Sequence, residues 1–68
     1  MEISITVNSM RKTVEKNTSI YDFLSVNGLD PDLVVIEHNL SITVREDLEK
    51  IFLKENDTLE ILRIVGGG

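Results

Sequence analysis

Thr18-Ser19-Ile20-Tyr21-Asp22-Phe23-Leu24-Ser25-Val26-Asn27-Gly28 decides how the rest of the chain is arranged. The hydroxyls of Thr18 and Ser19 can accept from the first unpaired N–H groups of a helix. Ile20, Phe23 and Leu24 recur at i, i+3 and i+4, with Asn27 at i+7, which gives a narrow apolar stripe that has to face a sheet. Asp22 falls in the first turn, where the positive end of the helix dipole favours a carboxylate. Asn27-Gly28 ends the helix, Gly28 being suited to the left-handed position after the last turn.

Towards the N-terminus, residues 2–7 alternate, with Ile3, Ile5 and Val7 on one face and Glu2, Ser4 and Thr6 on the other. Period-two alternation rich in β-branched residues predicts a half-buried strand. Asn8-Ser9 reads as a turn into a second strand over 11–16, with Val14 inward, and the two form a hairpin. Towards the C-terminus, Leu29-Asp30-Pro31-Asp32 is a connection, because Pro31 cannot continue the helix and keeps Asp30 out of helical space. The unbroken apolar run over 33–37 predicts a central, heavily covered strand. Asn39-Leu40-Ser41 turns the chain into a short strand over 42–44. Leu48, Ile51 and Phe52 at helical spacing predict a short second helix over 45–52. Asn56-Asp57 is a turn, and 58–65 form the last strand.

The helix between the early hairpin and the later strands is a crossover, which lets the following strand join the sheet in parallel. The expectation is an α+β chain: a mixed sheet wrapped on one main helix with a short second helix, the β-grasp arrangement. Ile3, Ile5, Val14, Val35, Leu59 and Ile61 are predicted to face the helix. Residues 1–65 are expected to form one domain and 66–68 a flexible glycine tail.

Composition narrows the function. A 68-residue chain buries only about 60% of the surface its unfolded form exposes, so little is left over for an elaborate active site. There is no cysteine and one histidine, His38, which argues against a thiolate metal site, a disulfide and a catalytic triad. His38 reads as a turn residue. Glu46, Asp47 and Glu49 read as a solvated helix face. Asp30 and Asp32 lack the further ligands of a magnesium site. The net charge of −5 with scattered basic residues argues against nucleic acid as a partner and favours steering towards a basic protein. No stretch reaches the ~20 apolar residues that span a bilayer, and the chain opens on a strand rather than a signal peptide, so the cytoplasm is expected. No enzyme is expected from this body alone.

The other informative stretch is Ile64-Val65-Gly66-Gly67-Gly68. Glycine lacks Cβ and can pass a narrow channel. Val65 and three glycines extend roughly 13–14 Å, enough to enter another protein's active site while the body stays outside. In the preceding strand Leu59 and Ile61 point inward. Leu62 and Ile64 then emerge on the open sheet face, where they either dock a partner or cover the second helix. Arg63 either steers the tail towards acidic groups or is a solvated strand residue.

Several segments together resemble the ThiS family of thiamine-biosynthesis sulfur carriers, which are ubiquitin-like β-grasp proteins. They are Val7-Asn8, Thr18-Ser19-Ile20, Phe23-Leu24 and Gly28-Leu29-Asp30-Pro31. Further on they are Val34-Val35-Ile36-Glu37 with Asn39, Val44-Arg45-Glu46, and Asp57-Thr58-Leu59-Glu60-Ile61 leading to Val65-Gly66-Gly67-Gly68. Leu40 stands where that family often has glycine.

The resemblance implies a protein co-substrate. An adenylyltransferase of the ubiquitin-activating type (ThiF-like), using ATP and magnesium, would convert the Gly68 carboxylate to an acyl-adenylate. Sulfur drawn from cysteine by a desulfurase would replace AMP and leave a thiocarboxylate. A thiazole synthase (ThiG-like) would take the sulfur. Gly66, Gly67, Val65, Ile64 and Leu62 would meet the partners, and this chain would bind no cofactor or metal. Two other readings stay open: the small sulfur-carrying subunit of molybdopterin synthase, and a ubiquitin-like protein modifier.

Overall fold

Two hairpins and a helix between them account for most of the chain in a computed structural model, which describes residues 1–64. Strands β1 (Glu2–Val7) and β2 (Met10–Glu15) pair antiparallel from Glu2 opposite Glu15 to Val7 opposite Met10. The tight turn between them places Asn8 at φ 47° and Ser9 at φ 70°, the doubly left-handed geometry that matches strand twist in a two-residue hairpin. Asparagine tolerates this conformation, which explains a hairpin with no glycine in its turn.

Helix α1 (Ile20–Val26) starts where the hydroxyl sequence predicts: Ser19 Oγ accepts from the Asp22 N–H at 3.0 Å. Gly28 adopts φ 69° after the last turn. Ile20, Phe23 and Leu24 are buried. A 3-10 turn at Pro31–Leu33, capped by Asp30, leads into β3 (Val34–His38), then β4 (Ser41–Thr43) and finally β5 (Thr58–Arg63). The sheet order is β2-β1-β5-β3-β4.

The strand in the middle is therefore β5, not the apolar run at 33–37. It lies parallel to β1 and antiparallel to β3, so the parallel pair of this mixed sheet joins the first and last strands and β3 itself pairs only antiparallel. Within β3 the inward residue is Ile36, not Val35. The run looked buried on both faces because the open face is itself apolar here: Val35 lies opposite Leu62. Leu33 is exposed.

The second helix shrinks to one 3-10 turn at Arg45–Asp47. Its continuation is prevented by what its backbone does instead. Leu48 and Ile51 carbonyls accept from the Tyr21 and Ile20 N–H groups, at 3.0 and 2.9 Å, and the Leu53 N–H donates to the Thr18 carbonyl at 2.8 Å. The unpaired N–H groups at the start of α1 are satisfied in this way. The consequence for packing is that Leu48 and Leu53 enter the core while Phe52 stays exposed. Arg45 ties this segment down through Asp32 at 3.0 Å, with its guanidinium 5.5 Å from the Tyr21 ring centre.

The core is Ile5, Val7, Ile20, Phe23, Leu24, Ile36, Leu48, Leu53 and Leu59. All of it lies between α1, the 48–53 segment and one face of the sheet. Among the described residues no element covers the other face.

Candidate functional site

Side chains hold β5 at its start and at Ile61, and a backbone bond holds the chain just past its end, so the strand that leads to residue 64 is firmly placed. At its start, Asp57 is 8% exposed. One carboxylate oxygen accepts from the Lys54 N–H at 2.9 Å and lies 2.9 Å from His38 Nε2, and the other accepts from Asn39 Nδ2 at 3.0 Å. Asn39 Oδ1 in turn accepts from the Thr58 N–H at 2.8 Å. His38 is thus the last residue of β3 and a partner of Asp57, not a turn residue. Burial pushes the Asp57 carboxyl up, but the hydrogen bonds from Asn39, His38 and Lys54 outweigh it and hold the group below its ordinary value.

Further along, β1 has already turned away at Asn8, and the Asn8 side chain takes its place beside β5. Asn8 Oδ1 accepts from the Ile61 N–H at 2.7 Å and Nδ2 donates to the Ile61 carbonyl at 3.3 Å. On the other side, the Ile64 N–H donates to the Leu33 carbonyl at 2.8 Å. Leu62 is 64% and Ile64 52% exposed. Val65, Gly66, Gly67 and Gly68 lie outside the described residues.

Strand alternation predicts that Leu62 and Ile64 emerge on the open side, and both are exposed, Ile64 just beyond the end of β5. Sequence reading misses the Asp57 and Asn8 anchors, because hydrogen bonds across 19 and 53 positions leave no local pattern. The one signal available was that polar Asn8, Asn39 and Asp57 stand at strand ends. Among the described residues no group of histidine, aspartate and glutamate is placed to hold a metal ion, and no helix is long and apolar enough to cross a membrane.

A mixed sheet curled over a single crossover helix, with its last strand central and anchored at both ends, defines a ubiquitin-like β-grasp protein. The match is specific: the ThiS family model aligns with residues 3–68, and the chain belongs to that family. A crystal structure of a thiamine biosynthesis protein (ThiS) from Geobacter metallireducens superposes with a TM-score of 0.84 at 28% identity, covering 97% of this chain and all of that one. A solution structure of a thiamine biosynthesis protein from the same organism gives 0.79 at 28% identity, over 97% and 88% of the two chains. An uncharacterized protein, ycf40, of Trieres chinensis is 32% identical over 62 residues, 91% of this chain and 85% of that protein. A thiazole synthase of Magnetococcus marinus is 27% identical over 66 residues, 97% of this chain but only 20% of that protein.

Proposed function

We propose that this chain is the sulfur carrier of thiamine biosynthesis, a protein co-substrate rather than an enzyme, and that the Gly68 carboxylate is the group that carries the sulfur. The observation that supports it best is a family match that runs through the three glycines to residue 68. The thiazole synthase relative supports a partner of that kind.

The chemistry follows from the residues. A carboxylate resists nucleophiles because its charge is delocalised, so it has to be activated as a mixed anhydride. An adenylyltransferase would do this with ATP and magnesium, releasing pyrophosphate. A persulfide sulfur supplied through a cysteine desulfurase would then attack the acyl carbon and displace AMP, and a thiol reductant would cleave the resulting acyl disulfide to leave the thiocarboxylate. Gly68 has no side chain to obstruct approach of the reacting atoms to within ~3–3.5 Å. With no cysteine in the chain, sulfur cannot travel as a persulfide of this protein, which leaves the terminal carbonyl carbon to hold it. Gly66, Gly67 and Val65 would thread the partner's channel, while Leu62 and Ile64 meet its rim.

Intact-mass measurement after incubation with ATP, magnesium, the activating enzyme and a sulfur source tests the reading. The expected gain is the difference between one sulfur and one oxygen atom, confined to the C-terminal peptide. Gain of a whole protein mass would mark a modifier instead. Unchanged mass with an active adenylyltransferase would overturn the proposal.

A further inference from the structure

On the sheet face turned away from α1, the register sets Glu37 directly opposite Glu60, Val35 opposite Leu62, and Ile42 opposite Glu37. Side chains so opposed have Cβ atoms about 4.5–5.5 Å apart, and like charges in that relation destabilise a sheet. Both glutamates are half-buried. Among the described residues neither has a cation within ion-pair distance; the pairs that do form use Glu15, Asp32, Asp47 and Asp57. Arg11, on the same face, is committed to Thr6 and Asn56. Around the two carboxylates stand Leu62, 64% exposed, Ile42, 71% exposed, and half-buried Val35.

Two carboxylates on directly opposed residues, without a cation partner among the described residues and bordered by apolar side chains, favour a cation from another molecule. A guanidinium suits the position best, because its planar fork of five donors can serve both carboxylates at once. We infer that this face docks the thiazole synthase partner, with an arginine of that enzyme seated between Glu37 and Glu60 and apolar contacts on Val35, Ile42 and Leu62. The inference rests on the function proposed above and adds to it the surface and the recognising charge. Two observations favour this occupant. A thiazole synthase carries within its own chain a stretch matching 97% of this one, and the patch is continuous through Leu62 with the residues that lead to the reactive end.

Titration calorimetry of the full chain with thiazole synthase from the same organism tests this, alongside Glu37→Gln, Glu60→Gln and the double variant, at low and raised salt. Each single variant should weaken binding about tenfold and flatten its salt dependence. In the free protein each should melt at or above the wild-type temperature, since opposed like charges have been relieved. Affinity falls while stability does not, a combination that damage to the fold cannot produce. Variants that bind as tightly as wild type overturn the inference alone, leaving the carrier reading intact. So does weakened binding of the activating enzyme with thiazole synthase unaffected, or a lowered melting temperature. A wild-type protein that acquires no sulfur and binds no thiazole synthase sinks both.

Discussion

The Asp57 carboxylate joins three parts of the chain: the end of β3 through His38, the following turn through Asn39, and the approach to β5 through the Lys54 N–H. Removing it strands three donors in a part-buried place, so Asp57→Ala should destabilise by about 1–3 kcal/mol in chemical unfolding. Its acidity sets the sign of a pH effect. The folded protein holds this carboxyl below its ordinary value, so the stabilisation is complete above the unfolded value of about 3.9 and disappears as pH falls through the folded one. Thermal melts on the acid side should therefore drop more steeply for wild type than for Asp57→Asn, which starts lower at neutral pH but lacks this share of the slope. Equal slopes would show that other carboxyls carry the acid sensitivity. Little near residue 57 in the sequence announces this role, because His38 and Asn39 arrive only when β3 and β5 pair. The exposure of Leu62 is legible by contrast, since alternation within one strand is a local property.

Helix α1 has seven residues, too few to be stable by propensity alone, so packing and its cap must hold it. Ser19→Ala should cost about 0.5–2 kcal/mol, and Leu24→Ala, which opens a cavity at a fully buried position, about 2–5 kcal/mol. Denaturant titration should rank them in that order; a Ser19→Ala loss as large as that of Leu24→Ala would mean the cap does more than close the helix. In the β3–β4 turn, Leu40 adopts φ 72° with its side chain 87% exposed. The left-handed conformation costs roughly 1–2 kcal/mol for a residue with Cβ, against about 0.4–1 kcal/mol of extra freedom that glycine brings to the unfolded chain. Leu40→Gly should accordingly raise the melting point slightly; a fall would show that the exposed leucine makes contacts that matter. Elements whose signals are short-range, such as β1, β2, the cap and Gly28, are readable. The 45–52 segment is not, because the start of α1 claims its carbonyls, and neither is the facing of β3, an interior strand whose apolar open face looks like burial on both sides.

At the scale of the whole molecule, the described core and the group proposed to carry sulfur can be tested apart by deletion. Residues 1–64 contain every core side chain described, so deleting Gly67 and Gly68 should leave the thermal melt unchanged within error while abolishing sulfur loading by mass. Retained loading would move the reactive group elsewhere in the chain. The fold class follows from one helix stripe and several alternating strands, and the open sheet face with Leu62 is legible too, but the opposition of Glu37 and Glu60 is not, because it arises only through the register of β3 against β5. The pairing of β1 with β5 rests on Thr6 opposite Thr58 and Val7 opposite Leu59, a contact that closes a loop of about fifty residues. Such closure is slow to win back its entropy, and the β1–β2 hairpin has no central neighbour until it happens. A chain still being synthesised, with β5 not yet emerged from the ribosome, would hold two unjoined halves with open sheet edges, so maturation is expected as one late, all-or-none event, most exposed to aggregation just before it.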